Sequence, residues 1–108
     1  MSQISAHVLD AGVGRPAAGV VVTLLDAAGG PIAEATTDAD GRVGTLGPDR
    51  LDPGTYAVRF GSGDYFAAQG VTCFHPEVLV TFTVAPGEPH HHVPLLLSPF
   101  AYTTYRGS

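Results

Sequence analysis

Apolar and polar positions alternate with a period of two in several short runs of this chain, and that spacing predicts strands. From Ile4 to Asp10, Ile4, Ala6 and Val8 fall on one face while Ser5, His7 and Leu9 fall on the other. Thr55–Phe60 repeats the pattern, with Tyr56, Val58 and Phe60 inward and Arg59 outward. Glu77–Val84 is the clearest case: Val78, Val80, Phe82 and Val84 line one face, and Leu79, Thr81 and Thr83 the other. Val20–Leu25 is a continuous β-branched and leucine run, short enough for a buried strand, and Ile32–Thr37 is a weaker one. His90–Leu97 and Phe100–Tyr105 supply the last two strands. A single short helix is expected over Asp64–Gly70, where alanine and glutamine lie between glycines.

Turn-forming stretches separate these runs: 11–19, Asp26–Pro31, Leu46–Gly54 and Pro86–Pro89. Fourteen glycines and nine prolines in 108 residues fit that many reversals. The expected fold is all-β, an antiparallel β-sandwich of seven to eight strands with one short helix, as one domain over residues 1–108. A chain of this length forms a core without covalent staples.

Composition narrows the function classes. The chain is 44% hydrophobic and 14% charged, as globular proteins are. Its formal charge is −5, all five basic residues are arginines, and no basic run exists. Nucleic acid and anionic membranes are therefore excluded as expected partners. Cys73 stands alone, so there is no intrachain disulfide and no CxxC-type zinc site. The first dozen residues lack a charged and an apolar leader region, and no run has membrane-spanning length. A soluble cytoplasmic protein is the expectation.

The candidate chemistry lies at the two ends of the chain. His90 and His92 are two apart and share a strand face, while His91 points to the opposite one. His7 lies opposite Ile4 and Val8. The segment 37–43, TDADGRV, is too short in its acidic series for a calcium loop and lacks the closing glutamate. It reads as a tight Asp-Gly turn that leads into a strand and projects Arg42. His7, His90, His92, Arg42 and Arg106 are thus candidates for one shared site, while Cys73 and His75 receive no role. Two chemistries fit the set. Neutral imidazole can take a proton from water while arginine stabilises an oxyanion. Alternatively, the His-x-His pair with His7 can hold zinc with one position open. No serine nucleophile elbow is recognisable.

Several segments carry a resemblance: SAHVLD (5–10), TDADGRV (37–43), GTYAVRF with YFAAQG (54–60, 65–70), HPEVLVTFTV (75–84) and HHVPLLLSPFAYTTYRGS (91–108). In order, and over essentially the whole chain, they resemble the 5-hydroxyisourate hydrolases, the transthyretin-related proteins of purine catabolism. The most specific element is Tyr105-Arg106-Gly107-Ser108; transthyretin, the hormone carrier on the same fold, lacks that ending and the histidine pair.

The resemblance implies a transthyretin-like sandwich of eight strands. It implies a homotetramer, a dimer of dimers with active sites in a channel between the dimers. It implies His7, Arg42 and His92 as catalytic residues, His90 as a third pocket histidine, and Tyr105, Arg106, Gly107 and Ser108 as substrate-binding residues. It implies that no metal and no cofactor take part. The implied reaction opens 5-hydroxyisourate to 2-oxo-4-hydroxy-4-carboxy-5-ureidoimidazoline during urate degradation. Which histidine is the base stays open. His91 stands where tyrosine is common in the family. A small-molecule carrier and a zinc hydrolase using His7, His90 and His92 are the alternatives. Independently, Ala101–Tyr105 is β-prone without a guarding charge or proline, so this edge is expected to pair with a second chain.

Overall fold

The computed structural model describes residues 2–108, in which nine strands form two sheets with one short helix. The first sheet is built on β1 (Ile4–Asp10) and β8 (His91–Leu97), with β9 (Tyr102–Thr104) on the far side of β8. Two short strands, β2 (Arg15–Pro16) and β5 (Arg42–Val43), share the other edge of β1. The second sheet runs in the order β4 (Pro31–Thr36), β3 (Val21–Leu25), β6 (Gly54–Phe60) and β7 (Val78–Val84).

The sandwich is the expected one, with differences in detail. One neighbouring pair, β1 with β8, is parallel. Hairpins force antiparallel neighbours, but these two strands are separated by the whole second sheet, and a long connection permits either direction. The two-residue strand β2 raises the strand count because it docks where a turn-rich connection was read, and β5 is the strand expected after the Asp-Gly turn, only two residues long. Helix α1 spans Ser62–Ala67, two residues ahead of the expected start. Ser62 begins it buried, and its hydroxyl donates to the His75 carbonyl at 3.0 Å. The last strand is shorter than expected at both ends. The Ser98 N–H bonds back to the Ala101 carbonyl in a turn that leaves Phe100 exposed.

The core follows the alternation. Ile4, Ala6 and Val8 of β1 and Val93, Leu95 and Leu97 of β8 point inward. They meet Val22 and Leu24 of β3, Val58 and Phe60 of β6 and Val78 and Val84 of β7 in one cluster. Burying each of the larger side chains contributes roughly 1.5–3 kcal/mol. Because the inner face is fixed in this way, a shift of one residue would expose the entire set, so the register is strongly specified. The outer face of β1 and β8 is fixed with it, and that face carries Ser5, His7 and His92.

Candidate active site

Parallel pairing sets Ser5 opposite His92 and His7 opposite Pro94. The outward side chains of the two strands therefore stand side by side, and the His7 and His92 rings lie 6.5 Å apart between centroids. The pairing also decides what each imidazole touches. The Ser5 hydroxyl lies 2.7 Å from His92 Nδ1 and 2.8 Å from His90 Nε2. His7 Nε2 donates to the Asp40 carbonyl at 3.0 Å, which fixes its proton on that nitrogen because a carbonyl only accepts.

Arg42 reaches the site through a turn held from below. The Asp38 carboxylate accepts the backbone N–H groups of Asp40 (2.9 Å) and Arg42 (3.0 Å), and Asp38 N–H bonds to the Arg42 carbonyl at 3.0 Å. The Arg42 N–H, aided by that of Asp40, keeps the Asp38 carboxyl below its ordinary pKa. Gly41 closes the turn at φ +74°, and any Cβ there would strike the Val8 carbonyl oxygen. Val8 N–H in turn bonds the Gly41 carbonyl at 2.7 Å. The close approach seats β5 on β1 with Arg42 directly opposite His7.

The closing segment splits. Gly107 returns to β8 in a single bridge, its N–H donating to the His92 carbonyl at 2.9 Å. Ser108 then lines an open cavity of about 300 Å³ together with Ser5, Arg42, His90 and His92. Such a volume is at the small end of ligand sites. Tyr105 and Arg106 go elsewhere. They border a second cavity, about 320 Å³, between β7 and the β8–β9 edge, with Phe82 and His91 among its walls. Arg106 pairs with Glu88 at 3.1 Å, and both side chains are exposed, so that pair contributes little. Within this one chain, the expected substrate set is thus divided: His90 and Ser108 line the histidine cavity, Gly107 bridges to His92, and Tyr105 and Arg106 are outside the cavity.

His91 faces the interior as its parity requires, buried beside Phe82 with ring centroids 6.1 Å apart. Its Nδ1 has no hydrogen-bond partner. Burial, with the Arg106 charge adding, lowers its pKa.

His92 titrates below its ordinary value as well. Burial is the largest cause, and the charges of Arg42, His7 and His90 act in the same direction. A depressed pKa keeps this imidazole neutral, the form that accepts a proton. Its ring is held on both edges: Nδ1 by Ser5, and Cγ and Cδ2 by the close backbone of Gly107. Nε2 is the nitrogen left for water or a ligand. The alternative of a three-histidine zinc centre has no support in this arrangement. Among the described residues no three His, Cys, Asp or Glu side chains are placed to hold one ion, and His90 and His92 both turn a nitrogen to Ser5.

Sequence reasoning missed Ser5, the group joining two of the histidines. Its signal was present: it lies two residues before His7 on the same strand face. Asp38 and Asp40 were read only as turn residues.

Comparison with known proteins places the chain in a family. The model of the HIUase/Transthyretin family matches residues 4–107. A 5-hydroxyisourate hydrolase of Caulobacter vibrioides is 42% identical over 115 aligned residues, covering 100% of both chains. Among solved structures, Klebsiella pneumoniae 5-hydroxyisourate hydrolase superposes with a TM-score of 0.91 at 34% identity, covering 99% of this chain and 100% of that one. Sea bream transthyretin in complex with thyroxine gives 0.88 at 37% identity, covering 97% and 94%. The fold is therefore shared by hydrolase and carrier. No helix among the described residues is long and apolar enough to cross a membrane.

Proposed function

This chain belongs to the HIUase/Transthyretin family, and from that premise we propose that it hydrolyses 5-hydroxyisourate at the cavity lined by Arg42, His90, His92 and Ser108, with His7 beside His92. The observation that carries the reading is the convergence on one sheet face of a neutral imidazole with an unengaged Nε2, a second imidazole 6.5 Å away, and an arginine. A thyroxine-type carrier has no use for a proton acceptor placed beside an arginine.

In the proposed mechanism, water attacks the C6 carbonyl of the substrate while His92 Nε2 removes its proton. Arg42 stabilises the oxyanion that develops on the carbonyl oxygen. As the N1–C6 bond breaks, the imidazolium returns the proton to N1, so the histidine leaves the cycle unchanged. His7, held through the Asp40 carbonyl, orients the water, and Ser108 contacts the ring.

We further propose a homotetramer built as a dimer of dimers. The β7 and β9 edges flank the second cavity, and a second copy offering the same two edges would close it. The outer face carrying His7, Arg42 and His92 would then border the channel between dimers, where a partner could complete the cavity. A cytoplasmic location belongs to the same reading.

The test is a spectroscopic assay on substrate freshly generated by urate oxidation, with and without chelator. Decay well above the spontaneous rate, unchanged by chelator and abolished in His92→Asn, is the expected result. No acceleration by the wild-type protein would end the hydrolase reading. Loss on chelation, restored by zinc, would replace its mechanism.

A further inference from the structure

Ser5 has one hydroxyl proton and two imidazole nitrogens within hydrogen-bond distance, His92 Nδ1 at 2.7 Å and His90 Nε2 at 2.8 Å. The hydroxyl can donate to only one of them. For both contacts to be hydrogen bonds between neutral rings, the other nitrogen must itself carry a proton and donate to Oγ. Two arrangements satisfy this. In the first, His92 Nδ1–H donates to Ser5, Ser5 donates to His90 Nε2, and His92 Nε2 keeps its lone pair. In the second, His90 Nε2–H donates to Ser5 and Ser5 donates to His92 Nδ1. The His92 proton then sits on Nε2, which can no longer accept one.

We propose that Ser5 is a positioning residue that makes the tautomer of His92 depend on His90. The proposal rests on the reading of His92 as the base. Ser5 is buried beneath the two rings, and His90 is exposed to solvent. With His90 neutral, the first arrangement is open to His92: its Nε2 accepts a proton from water, and the resulting imidazolium keeps its Nδ1–H on the Ser5 oxygen. With His90 protonated, its Nε2–H must occupy Ser5, the hydroxyl turns to His92 Nδ1, and His92 presents Nε2–H. No net proton is lost in this reversal: His90 gains one from solvent, and the His92 proton moves from Nδ1 to Nε2 by exchange with solvent. Protonation of both rings places two N–H donors on Ser5 and leaves its own proton without either acceptor. The other charged and titratable groups acting on His92 are His7 from β1 and Arg42 from β5. Neither is hydrogen-bonded to Ser5, so neither can replace its selection of the tautomer.

A base oriented by a third group is a common device, usually with a carboxylate in the third place. Here a neutral hydroxyl takes that place, and a second imidazole sets its direction. The sequence His-x-His therefore has a purpose apart from metal binding: residues 90 and 92 lie on the same side, and one hydroxyl from the neighbouring strand spans both.

The experiment is ¹⁵N imidazole NMR of the wild type, Ser5→Ala and Ser5→Thr, together with kcat and KM for each. In the wild type, His92 is expected as the Nδ1–H tautomer while His90 is neutral and as Nε2–H once His90 is protonated. Ser5→Ala should uncouple the two rings and let His92 revert towards the Nε2–H form that free imidazole side chains prefer. It should also lower kcat by about 10- to 100-fold, the scale of supporting partners. Ser5→Thr retains the hydroxyl and should restore both readouts. His92 found as Nε2–H in the wild type at alkaline pH, or a tautomer and kcat unchanged in Ser5→Ala, would overturn the proposal. The tautomer is read without substrate, so an inactive wild type would sink the hydrolase reading alone.

Discussion

The backbone N–H of Gly107 donates to the His92 carbonyl, and a Cβ placed on Gly107 would fall on the Cδ2 edge of the His92 ring. Glycine is needed here because of a close approach, with no demand on its backbone angles. On its other edge the ring is held by Ser5 at 2.7 Å, so it has nowhere to yield without breaking that bond.

Gly107→Ala should therefore displace the imidazole and lower turnover by about 10²-fold, the cost of a misplacement near 1 Å. Stability should change by less than about 1 kcal/mol, since exposed segments contribute little to global unfolding. Kinetics beside a melting curve on one preparation check both. Undiminished turnover would mean that the ring is not pinned by the closing segment.

The histidine parity was legible in the sequence, and so was the face that carries the chemistry. Alternation alone placed His92 and His7 outward and His91 inward, because apolar neighbours at i±2 fix the buried side. The pairing that brings Ser5 to His92 was not legible. These residues are 87 positions apart, and local periodicity carries no information about which distant strand is adjacent or in which direction it runs. The docking of the short strand β5 on β1 was not legible for another reason. Two residues hold no period, and its docking depends on Gly41 meeting the Val8 carbonyl. The placement of Tyr105 and Arg106 at the second cavity was not legible either, because exposed side chains obey no burial pattern.

The pH profile follows from the cavity electrostatics. His92 accepts a proton only when neutral, so the rate falls as pH drops through its folded pKa. Burial, then Arg42, His7 and His90, place that pKa below the ordinary 6.5, so the acid limb should have its midpoint below 6.5. Arg42→Gln should slow the reaction by roughly 10²–10³-fold through loss of the oxyanion donor. The same change removes a positive charge and should move the limb upward. The turn itself survives, because Asp38 grips backbone N–H groups. A midpoint that stays in place in the variant would deny Arg42 its proximity to the base.

His91 gives a stability prediction with the sign determined. Its folded pKa is lowered from 6.5, chiefly by burial. Between the folded pKa and 6.5 the unfolded chain binds more protons, so stability rises with pH across that window and is lost as pH falls through it. His91→Phe removes this group together with an unpartnered buried Nδ1, a defect that costs about 1–3 kcal/mol. Room for the larger ring exists in the adjoining cavity. The variant should melt higher at neutral pH and lose less stability on acidification, with turnover within about twofold, because His91 lies on the opposite face from the base. His92 is depressed as well, so some acid slope remains. A lower melting temperature at neutral pH would show that His91 is packed more specifically than its missing partner implies.

The last prediction concerns assembly. Strands β7 and β9 are the edges of their sheets, and β9 lacks a lysine or proline to discourage pairing. Around them the surface is apolar: Phe74 is 71% exposed, Phe100 67% and Leu79 50%. His75 lies between Phe74 and Tyr102 with ring centroids 5.0 Å from each, so the patch is ordered in advance of any partner. A surface of this kind is expected to be covered in a stable protein, and like edges related by a two-fold axis cover one another. Tyr102→Lys puts a charge on β9 without touching the histidine cavity. Sedimentation should find the wild type as a tetramer and the variant as smaller species. Activity should fall with the tetramer fraction if the channel between dimers completes the site. A wild type that sediments as a monomer with full turnover would leave the cavity of a single chain as the whole active site.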